Sequence, residues 1–318
     1  MLNLPKLTDA NLQNKKVLLR ADLDFDPSDL TNLRLISLIP TLDYLKSQNC
    51  IITIIGHRGR PGGKVDESLS LMPFQSYFQK WGATVLENLR FNPGEENNDL
   101  EFAQSLAEGH DFFVNEAFGT SHRKSASIVS LPKLLPHAAG LRFIQEVENL
   151  GRVLENPVNP VVSLISGVKE DKLTYVESFL KFSDKVLIAG RLPFLIGDDN
   201  PLRNNSKVIV AKLAADNEDI TIHAIEDFEK EILSAKTIVL SGPIGKFEEE
   251  GHRQGTKRVF EAISNANAFK VAGGGDTENA IKLLGLNDKF NWISVGGGAM
   301  LEFLAKGTLP GMEALINE

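Results

Sequence analysis

Short apolar runs rich in valine and isoleucine alternate along the chain with longer amphipathic segments. The runs are too short to be typical globular helices, whereas the segments between them, such as residues 34–46 and 102–108, have helical character. Strand–helix alternation of this kind predicts parallel sheets with helices on both faces. The predicted strands are residues 16–23, 51–56, 84–89 and 112–116 in the first half, and 161–166, 185–189, 220–224, 237–241, 269–272 and 292–295 in the second.

The length and one amphipathic segment divide the chain into two domains. At about 150 residues per domain, 318 residues suit two sheets better than one. Residues 138–156 are predicted to form a connecting helix, because Phe143, Val147 and Leu150 share one helical face and the prolines at 157 and 160 end it. We therefore predict an α/β fold of two domains, each a parallel sheet flanked by helices in a Rossmann-like three-layer arrangement. The predicted boundaries are 1–145 for the N-terminal domain, 146–157 for the helix end and linker, 158–305 for the C-terminal domain, and 306–318 for a tail returning to the N-terminal domain.

The composition disfavours membrane-spanning, secreted and general nucleic-acid-binding proteins. Hydrophobic residues make up 42% and charged residues 24%, an ordinary globular balance. No apolar run reaches the roughly 18 residues of a membrane helix, the N-terminus lacks a secretory pattern, and the single Cys50 cannot form an internal disulfide. The net charge of −8 disfavours a general nucleic-acid binder but allows a local basic pocket. We expect a cytoplasmic protein that binds neither membrane nor nucleic acid.

In the first half, cationic residues follow the predicted strands. GHRGRP, NLRF and FGTSHRKS each come directly after a strand, and Arg34 opens the helix after the first. In an open parallel sheet the loops after the strands line one crevice, where ligands bind. Because arginine suits bidentate recognition of phosphate or carboxylate, the set predicts a site for a small polyanion. The alternative, that each arginine is a solvated surface charge, is common for a single arginine but less so for the whole set.

In the second half, glycine-rich turns follow the predicted strands. AGGGD and VGGGA each join a strand to a helix, a form in which backbone N–H groups and the helix N-terminus hold phosphate oxygens. Asp276 is placed to face a magnesium ion held by those phosphates, and SGPIGKFE ends in Glu248, a carboxylate able to hold a ribose. Neither turn matches GxGxxG or GxxxxGK[ST], which disfavours a dinucleotide site and a P-loop. The alternative is that each is only a tight turn.

One domain built for a small anion and another for a nucleotide suit phosphoryl transfer, and here a specific resemblance appears. The chain resembles the phosphoglycerate kinase family over about residues 15–315. The motifs that carry the resemblance, in the family's order, are RADLDFDP, HRGRP, ENLRFNPGEENND, VNEAFGTSHRKSAS, SGPIGKFEEE, GGGDTENA and SVGGGAMLEFL. The resemblance implies a hinge-bending glycolytic monomer that moves a phosphoryl group between 1,3-bisphosphoglycerate and ADP, giving 3-phosphoglycerate and ATP, with Mg²⁺.

The resemblance also implies a role for each matching residue. The substrate-binding set is Asp22 and Asp24 at the glycerate hydroxyl and carboxylate, Arg34 at the carboxylate, and His57, Gly59, Arg60, Arg90 and Arg123 around the 3-phosphate. The nucleotide set is Lys169, Lys172, Glu248, Gly274, Gly275, Asp276 and Thr277, with Asp276 at the metal. The residues implied in catalysis are Lys169, Arg34 and Gly275. The substrate's own carboxylate attacks, so no general base is required and His57 is a ligand.

The chain departs from the family in length and at particular positions. It is shorter between residues 81 and 87 and between 197 and 236, and it has no counterpart to the family's Asp-Ile-Gly-Pro-Lys-Thr stretch. Its lysine loop is SGVKEDK, with one residue fewer between the two lysines than in the family. Asp24 replaces an asparagine, Ser125 a histidine and Ser241 an asparagine. For Asp24 two outcomes are open: it takes up a proton when substrate binds, or it turns to pair with a cation such as Arg34, which we favour.

Two other functions compete with an active kinase. A non-catalytic paralogue that binds phosphoglycerate or nucleotide would keep the same arginines, so only the lysine loop separates it from the enzyme. A nicotinamide-dependent dehydrogenase is disfavoured by the missing dinucleotide fingerprint.

Overall fold

The computed structural model describes residues 3–197 and 199–316. The chain divides into two compact units. Unit 1 contains the residues up to Glu148 together with those from Thr308 onward, and unit 2 contains Asn149–Gly307.

Unit 1 is built on a five-stranded parallel sheet in the order β3-β2-β1-β4-β5. β1 lies at the centre and is buried from its second residue onward. The first helix begins where the side chain of Asn32 accepts a hydrogen bond from the backbone N–H of Arg34, and four of its five leucines pack into the core with the strands of the sheet. The elements are β1 Lys16–Arg20, α1 Leu33–Ser47, β2 Ile51–Ile55, α2 Gln75–Phe78, β3 Thr84–Val85, α3 Pro93–Glu96, α4 Leu100–Ala107, β4 Phe112–Asn115, β5 His137–Ala139 and α5 Leu141–Glu155, the last of which runs on into unit 2.

Unit 2 is built on a six-stranded parallel sheet in the order β11-β10-β9-β6-β7-β8. Its central strands are buried along their whole length, as expected for a parallel sheet covered on both faces. The elements are β6 Val161–Ile165, α6 Val176–Phe179, β7 Lys185–Ile188, α7 Leu192–Ile196, β8 Val208–Val210, α8 Ile222–Ser234, β9 Thr237–Ser241, α9 Gln254–Asn265, β10 Phe269–Gly273, α10 Gly275–Leu283, β11 Trp292–Ser294 and α11 Gly297–Lys306. A last helix, α12 Pro310–Ile316, packs in unit 1.

The prediction of two parallel sheets flanked by helices is confirmed, with one wrong strand. Residues 220–224 were predicted as a strand but lead into α8, because the side chain of Thr221 caps the helix by accepting from the N–H of Ala224. The strands β5 and β8 were not predicted; each has only three residues. The predicted strand at 84–89 is a strand only at Thr84–Val85, and the predicted helix at 138–156 begins at Leu141 because β5 precedes it.

No helix within residues 3–197 and 199–316 combines the length and apolar character that a bilayer crossing requires.

Candidate functional site

In unit 1 the predicted anion-binding residues lie at the carboxyl ends of neighbouring strands. Hydrogen bonds tie these loops to one another: Asn88 donates from its side chain to the carbonyls of Arg58 (2.7 Å) and Leu69 (2.9 Å), and the N–H of Leu89 donates to the carbonyl of Gly56 (3.0 Å). The strand order brings the loops after β2, β1 and β4 side by side.

A buried arginine that the sequence did not single out lies beneath this set. Arg20, the last residue of β1, is fully buried. Its guanidinium donates to Ser127 Oγ (2.8 Å), to the carbonyl of Ala21 (2.6 Å) and to Nδ1 of His57 (2.9 Å), and it lies 3.9 Å from Glu95. Burial lowers the pKa of Arg20, and the charge of Glu95 opposes that change. Arg20 is therefore part of the framework that positions His57.

His57 is a neutral ring with a defined tautomer. Burial, and then the positive charges of Arg20, Arg90, Arg123 and Arg34, hold the pKa of His57 well below its ordinary value. Arginine can only donate, so Nδ1 of His57 accepts and the single ring proton is on Nε2. The ring therefore offers an N–H donor to a ligand and is not set up as a base.

Two arginines of the set are already bonded within unit 1. Arg90 is buried, donates to the carbonyl of Gly59 (2.7 Å) and lies 3.5 Å from Glu96. Burial and the nearby charge of Arg123 lower the pKa of Arg90. Arg34 lies 3.6 Å from Asp22 through its Nε and donates to the backbone carbonyl of Asp24.

Two other arginines have side chains that reach no partner. Among the residues described, neither the guanidinium of Arg60 nor that of Arg123 makes a hydrogen bond or an ion pair. Arg60 is exposed and Arg123 is half-buried. Both are available to an incoming anion.

The carboxylate of Asp24 does not make the pairing with Arg34 that we favoured from the sequence. Its carboxylate accepts a hydrogen bond from the N–H of Gly59 (2.8 Å) and its Oδ2 lies 3.7 Å from Nε2 of His57. Arg34 reaches the backbone carbonyl of Asp24, and its Nε faces Asp22. The carboxylate therefore lies against the His57–Arg60 loop.

In unit 2 the two lysines of the SGVKEDK loop have different surroundings. Lys172 is half-buried, and its Nζ donates to the carbonyl of Ser166 (2.6 Å) with Ser241 Oγ at 3.5 Å. Burial lowers the pKa of Lys172 to about 8, against the opposing charge of Asp276. Lys169 is exposed, and its side chain makes no hydrogen bond or ion pair with another described residue. Lys172 is thus fixed beneath the loop, whereas Lys169 can move.

The loops after β6 and β9 approach so closely that one position requires glycine. Gly242 has a φ of +102°, and a Cβ there would lie 2.1 Å from the carbonyl oxygen of Ser166. Thr277 connects the loop after β9 to the end of β10. Its hydroxyl accepts from the N–H of Gly242 (2.8 Å) and donates to the carbonyl of Gly273 (2.9 Å). The Thr277 hydroxyl is therefore occupied within the protein.

Near these loops the N-terminus of α10 reaches the surface. Gly274 precedes the helix with a φ of +108°, and Gly275 and Asp276 in the first turn are exposed. β10 neighbours β9, and β9 neighbours β6, so Asp276, Ser241 and Lys172 lie at one sheet edge. The Glu248 side chain is exposed and makes no hydrogen bond or ion pair with these residues in the described part of the chain; its backbone carbonyl accepts a hydrogen bond from Arg253.

Comparisons with known proteins agree with these features. The family model described as phosphoglycerate kinase matches residues 7–84, 81–199 and 198–307. The chain is 34% identical to a phosphoglycerate kinase of Baumannia cicadellinicola subsp. Homalodisca coagulata, covering 98% of each chain, and 32% identical to one of Dictyoglomus turgidum, covering 97% of each. The solved phosphoglycerate kinase of Coxiella burnetii aligns with a TM-score of 0.83 at 29% identity, over 98% of this chain and 99% of that one.

The same comparisons show how much shorter this chain is. The first alignment runs over 378 positions, whereas the chain has 318 residues, so at least 60 positions face no residue of it. Both parallel sheets are present although the chain is shorter than these relatives.

Proposed function

The chain belongs to the phosphoglycerate kinase family, and we propose that it is the active glycolytic enzyme, transferring a phosphoryl group reversibly between 1,3-bisphosphoglycerate and ADP to give 3-phosphoglycerate and ATP. The observation that carries the proposal is the set of cations around a neutral, oriented His57 at one sheet edge. A multiply charged small anion is the ligand such a set fits best.

In unit 1 we assign the two ends of the substrate to different residues. The 3-phosphate is held by the N–H of His57 and by the cations around it, of which the Arg60 and Arg123 side chains bond to no other residue that the structure describes. The glycerate end meets Asp22 and Arg34, which already lie 3.6 Å apart. The full proposed substrate set is Asp22, Asp24, Arg34, His57, Gly59, Arg60, Arg90 and Arg123.

In unit 2 we assign the nucleotide to the loops after β6, β9 and β10. The first-turn N–H groups of α10, from Gly275 onward, suit phosphate oxygens, since a helix N-terminus favours negative charge. Lys172 adds a half-buried positive charge at the same sheet edge. The full proposed nucleotide set is Lys169, Lys172, Glu248, Gly274, Gly275, Asp276 and Thr277, in which Thr277 acts by holding Gly242 in place.

The reaction needs positioning and charge more than proton transfer. A carboxylate oxygen of 3-phosphoglycerate attacks the γ-phosphorus of ATP, and the bond from that phosphorus to the bridging oxygen of ADP breaks. The nucleophile is already ionised at neutral pH, so no base is required. The exposed ammonium of Lys169 can follow the phosphoryl group, while Arg34 orients the attacking carboxylate.

Magnesium fits the nucleotide site that we propose. Mg²⁺ bound with nucleotides is usually held by one or two carboxylates and by the phosphates themselves, and Asp276 offers one exposed carboxylate in the first turn of α10. When bound, the ion would neutralise charge on the phosphates. We also propose a cytoplasmic, hinge-bending monomer, the form that family membership favours, with no nucleic acid or membrane as partner.

A coupled assay with 3-phosphoglycerate and MgATP tests the proposal. We expect ADP formation that depends on both substrates and that is lost in the double variant Arg60→Ala/Arg123→Ala. Binding of both ligands without turnover would instead indicate the non-catalytic paralogue.

A further inference from the structure

The carboxylate of Asp24 occupies the binding site that we assign to an anion. It accepts the N–H of Gly59 at 2.8 Å, and its second oxygen lies 3.7 Å from Nε2 of His57. Since Nδ1 of His57 is taken by Arg20, Nε2 carries the ring proton and points a donor toward this oxygen. Two donors of the phosphate loop therefore face a negative charge that belongs to the chain itself.

The charge of Asp24 also acts on the cations of the site. It raises the pKa of Arg20 and that of Arg90, against the larger effect of burial. The Asp24 side chain is 42% exposed, so it has water on one side and room to turn away. The backbone around it is held independently, because Arg34 donates to the carbonyl of Asp24.

We propose that Asp24 is an internal competitor for the substrate's phosphate and thereby sets the affinity of the site. This inference rests on the proposed function. In the free protein the carboxylate uses the Gly59 N–H and faces the His57 Nε2–H. A phosphate that takes these donors must displace the carboxylate, because two like charges cannot share one confined set of donors without a large electrostatic cost.

Asp24→Asn separates charge from shape. The amide has the size of the carboxylate, and its carbonyl oxygen can still accept from Gly59, so the loop keeps its hydrogen bond. The charge is gone, and the –NH₂ group becomes a donor. Asp26→Asn is the matched control: it removes the same charge two residues away, where the Asp26 carboxylate caps its own turn by accepting from the N–H and the hydroxyl of Ser28.

Calorimetric titration of the full chain with 3-phosphoglycerate tests the proposal. We expect Asp24→Asn to bind about tenfold or more tightly than the wild type, the size of one charge-assisted hydrogen bond, and Asp26→Asn to bind within about twofold of it. Titrations with glycerol 3-phosphate and with glycerate locate the competition. We expect the gain with glycerol 3-phosphate and none with glycerate, because the donors in question are those assigned to the phosphate.

The outcomes distinguish this inference from the proposed function. Unchanged or weaker binding by Asp24→Asn, an equal gain in Asp26→Asn, or a gain confined to glycerate would each overturn the inference while leaving the proposed function intact. Failure of both wild type and Asp24→Asn to bind 3-phosphoglycerate would overturn both.

Discussion

The guanidinium of Arg20 donates a 2.9 Å hydrogen bond to Nδ1 of His57, and both side chains are buried. A charged group thus fixes the orientation of a neutral one. Glu95 lies near the arginine and accepts hydrogen bonds from the hydroxyl and the N–H of Ser127, so the buried charge has a compensating acid and a bonded scaffold. The result is a preorganised N–H donor aimed at the ligand, which saves the cost of ordering it on binding.

The first prediction concerns Arg60 and Arg123, the two arginines of the anion site whose side chains bond to no residue in the described ranges. Arg60→Ala and Arg123→Ala should each weaken 3-phosphoglycerate binding by about 1.5–3 kcal/mol per charge-assisted hydrogen bond lost. Arg58→Ala is the control from the same loop, because Arg58 donates to the carbonyl of Ser68 (2.8 Å) instead. Calorimetry decides the matter: unchanged affinity in both Arg60 and Arg123 variants would remove the anion-site assignment.

The sequence predicts which loops carry the cations of the anion site, but it does not predict the buried residues beneath those loops. The cations of the HRGRP and NLRF loops could be predicted because they follow strands of a parallel sheet, whose carboxyl ends meet at one edge. Arg20 could not, because a charged residue at the end of an apolar run normally marks the surface. Only the fold shows that it points inward to Ser127 and His57.

The wrong predictions from the sequence also have local physical causes. Residues 220–224 alternate apolar and polar positions as a strand does, and only the hydrogen bond from the Ala224 N–H to Thr221 shows that a helix begins there. The orientation of the Asp24 side chain could not be predicted from the sequence either. Arg34, the partner that we favoured from the sequence, lies 10 residues away along the chain but donates to the backbone carbonyl of Asp24, whereas the carboxylate accepts from the N–H of Gly59, 35 residues away.

The second prediction concerns Lys169. Lys169→Ala should lower turnover by orders of magnitude and leave 3-phosphoglycerate affinity almost unchanged, because a mobile ammonium matters most when charge spreads over the transferred group. Steady-state kinetics and calorimetry on the same preparation measure both quantities. Turnover within a few-fold of wild type would shift the role to Lys172.

The third prediction is loose discrimination between nucleotide bases. At least 60 aligned positions face no residue of this chain, and we expect many of them on the base side, between residues 197 and 236. The proposed phosphate and ribose residues Asp276 and Glu248 remain. GTP should therefore replace ATP with little loss in the coupled assay. A preference for ATP of ~100-fold, about 2.8 kcal/mol, would show that another element contacts the base.

The fourth prediction is a pH dependence of nucleotide binding through Lys172. Burial lowers the pKa of Lys172 to about 8, so the ammonium loses its proton as the pH rises through that value, while nucleotide phosphates are already ionised. Affinity for ADP should fall between about pH 7.5 and 9.5. Lys172→Arg, which stays charged, should flatten the profile, and Lys181→Arg, on an exposed lysine of unit 2, should not. The same decline in all three proteins would exclude Lys172 as its source.

Glu116 provides a separate test of the fold at the start of α5. Its carboxyl is buried and accepts from the N–H groups of Arg142 and Phe143 (3.0 Å each) and from the hydroxyl of Thr41. Burial nevertheless raises the pKa of Glu116 from 4.5 to about 7, since desolvation outweighs these bonds. The acid therefore links protonation to the stability of unit 1.

The last prediction follows from the sign of that shift. Between pH 4.5 and about 7 the folded state retains a proton that the unfolded state has released, so raising the pH through this window should lower the free energy of unfolding by on the order of 3 kcal/mol. Urea denaturation of the full chain at several pH values measures the slope. Glu116→Gln cannot ionise and should be less pH-dependent, although its –NH₂ group meets a donor and costs about 1–3 kcal/mol. Glu101→Gln, on an exposed acid of α4, should keep the wild-type slope. Identical slopes in wild type and Glu116→Gln would mean that Glu116 is ionised throughout, held so by its three donors.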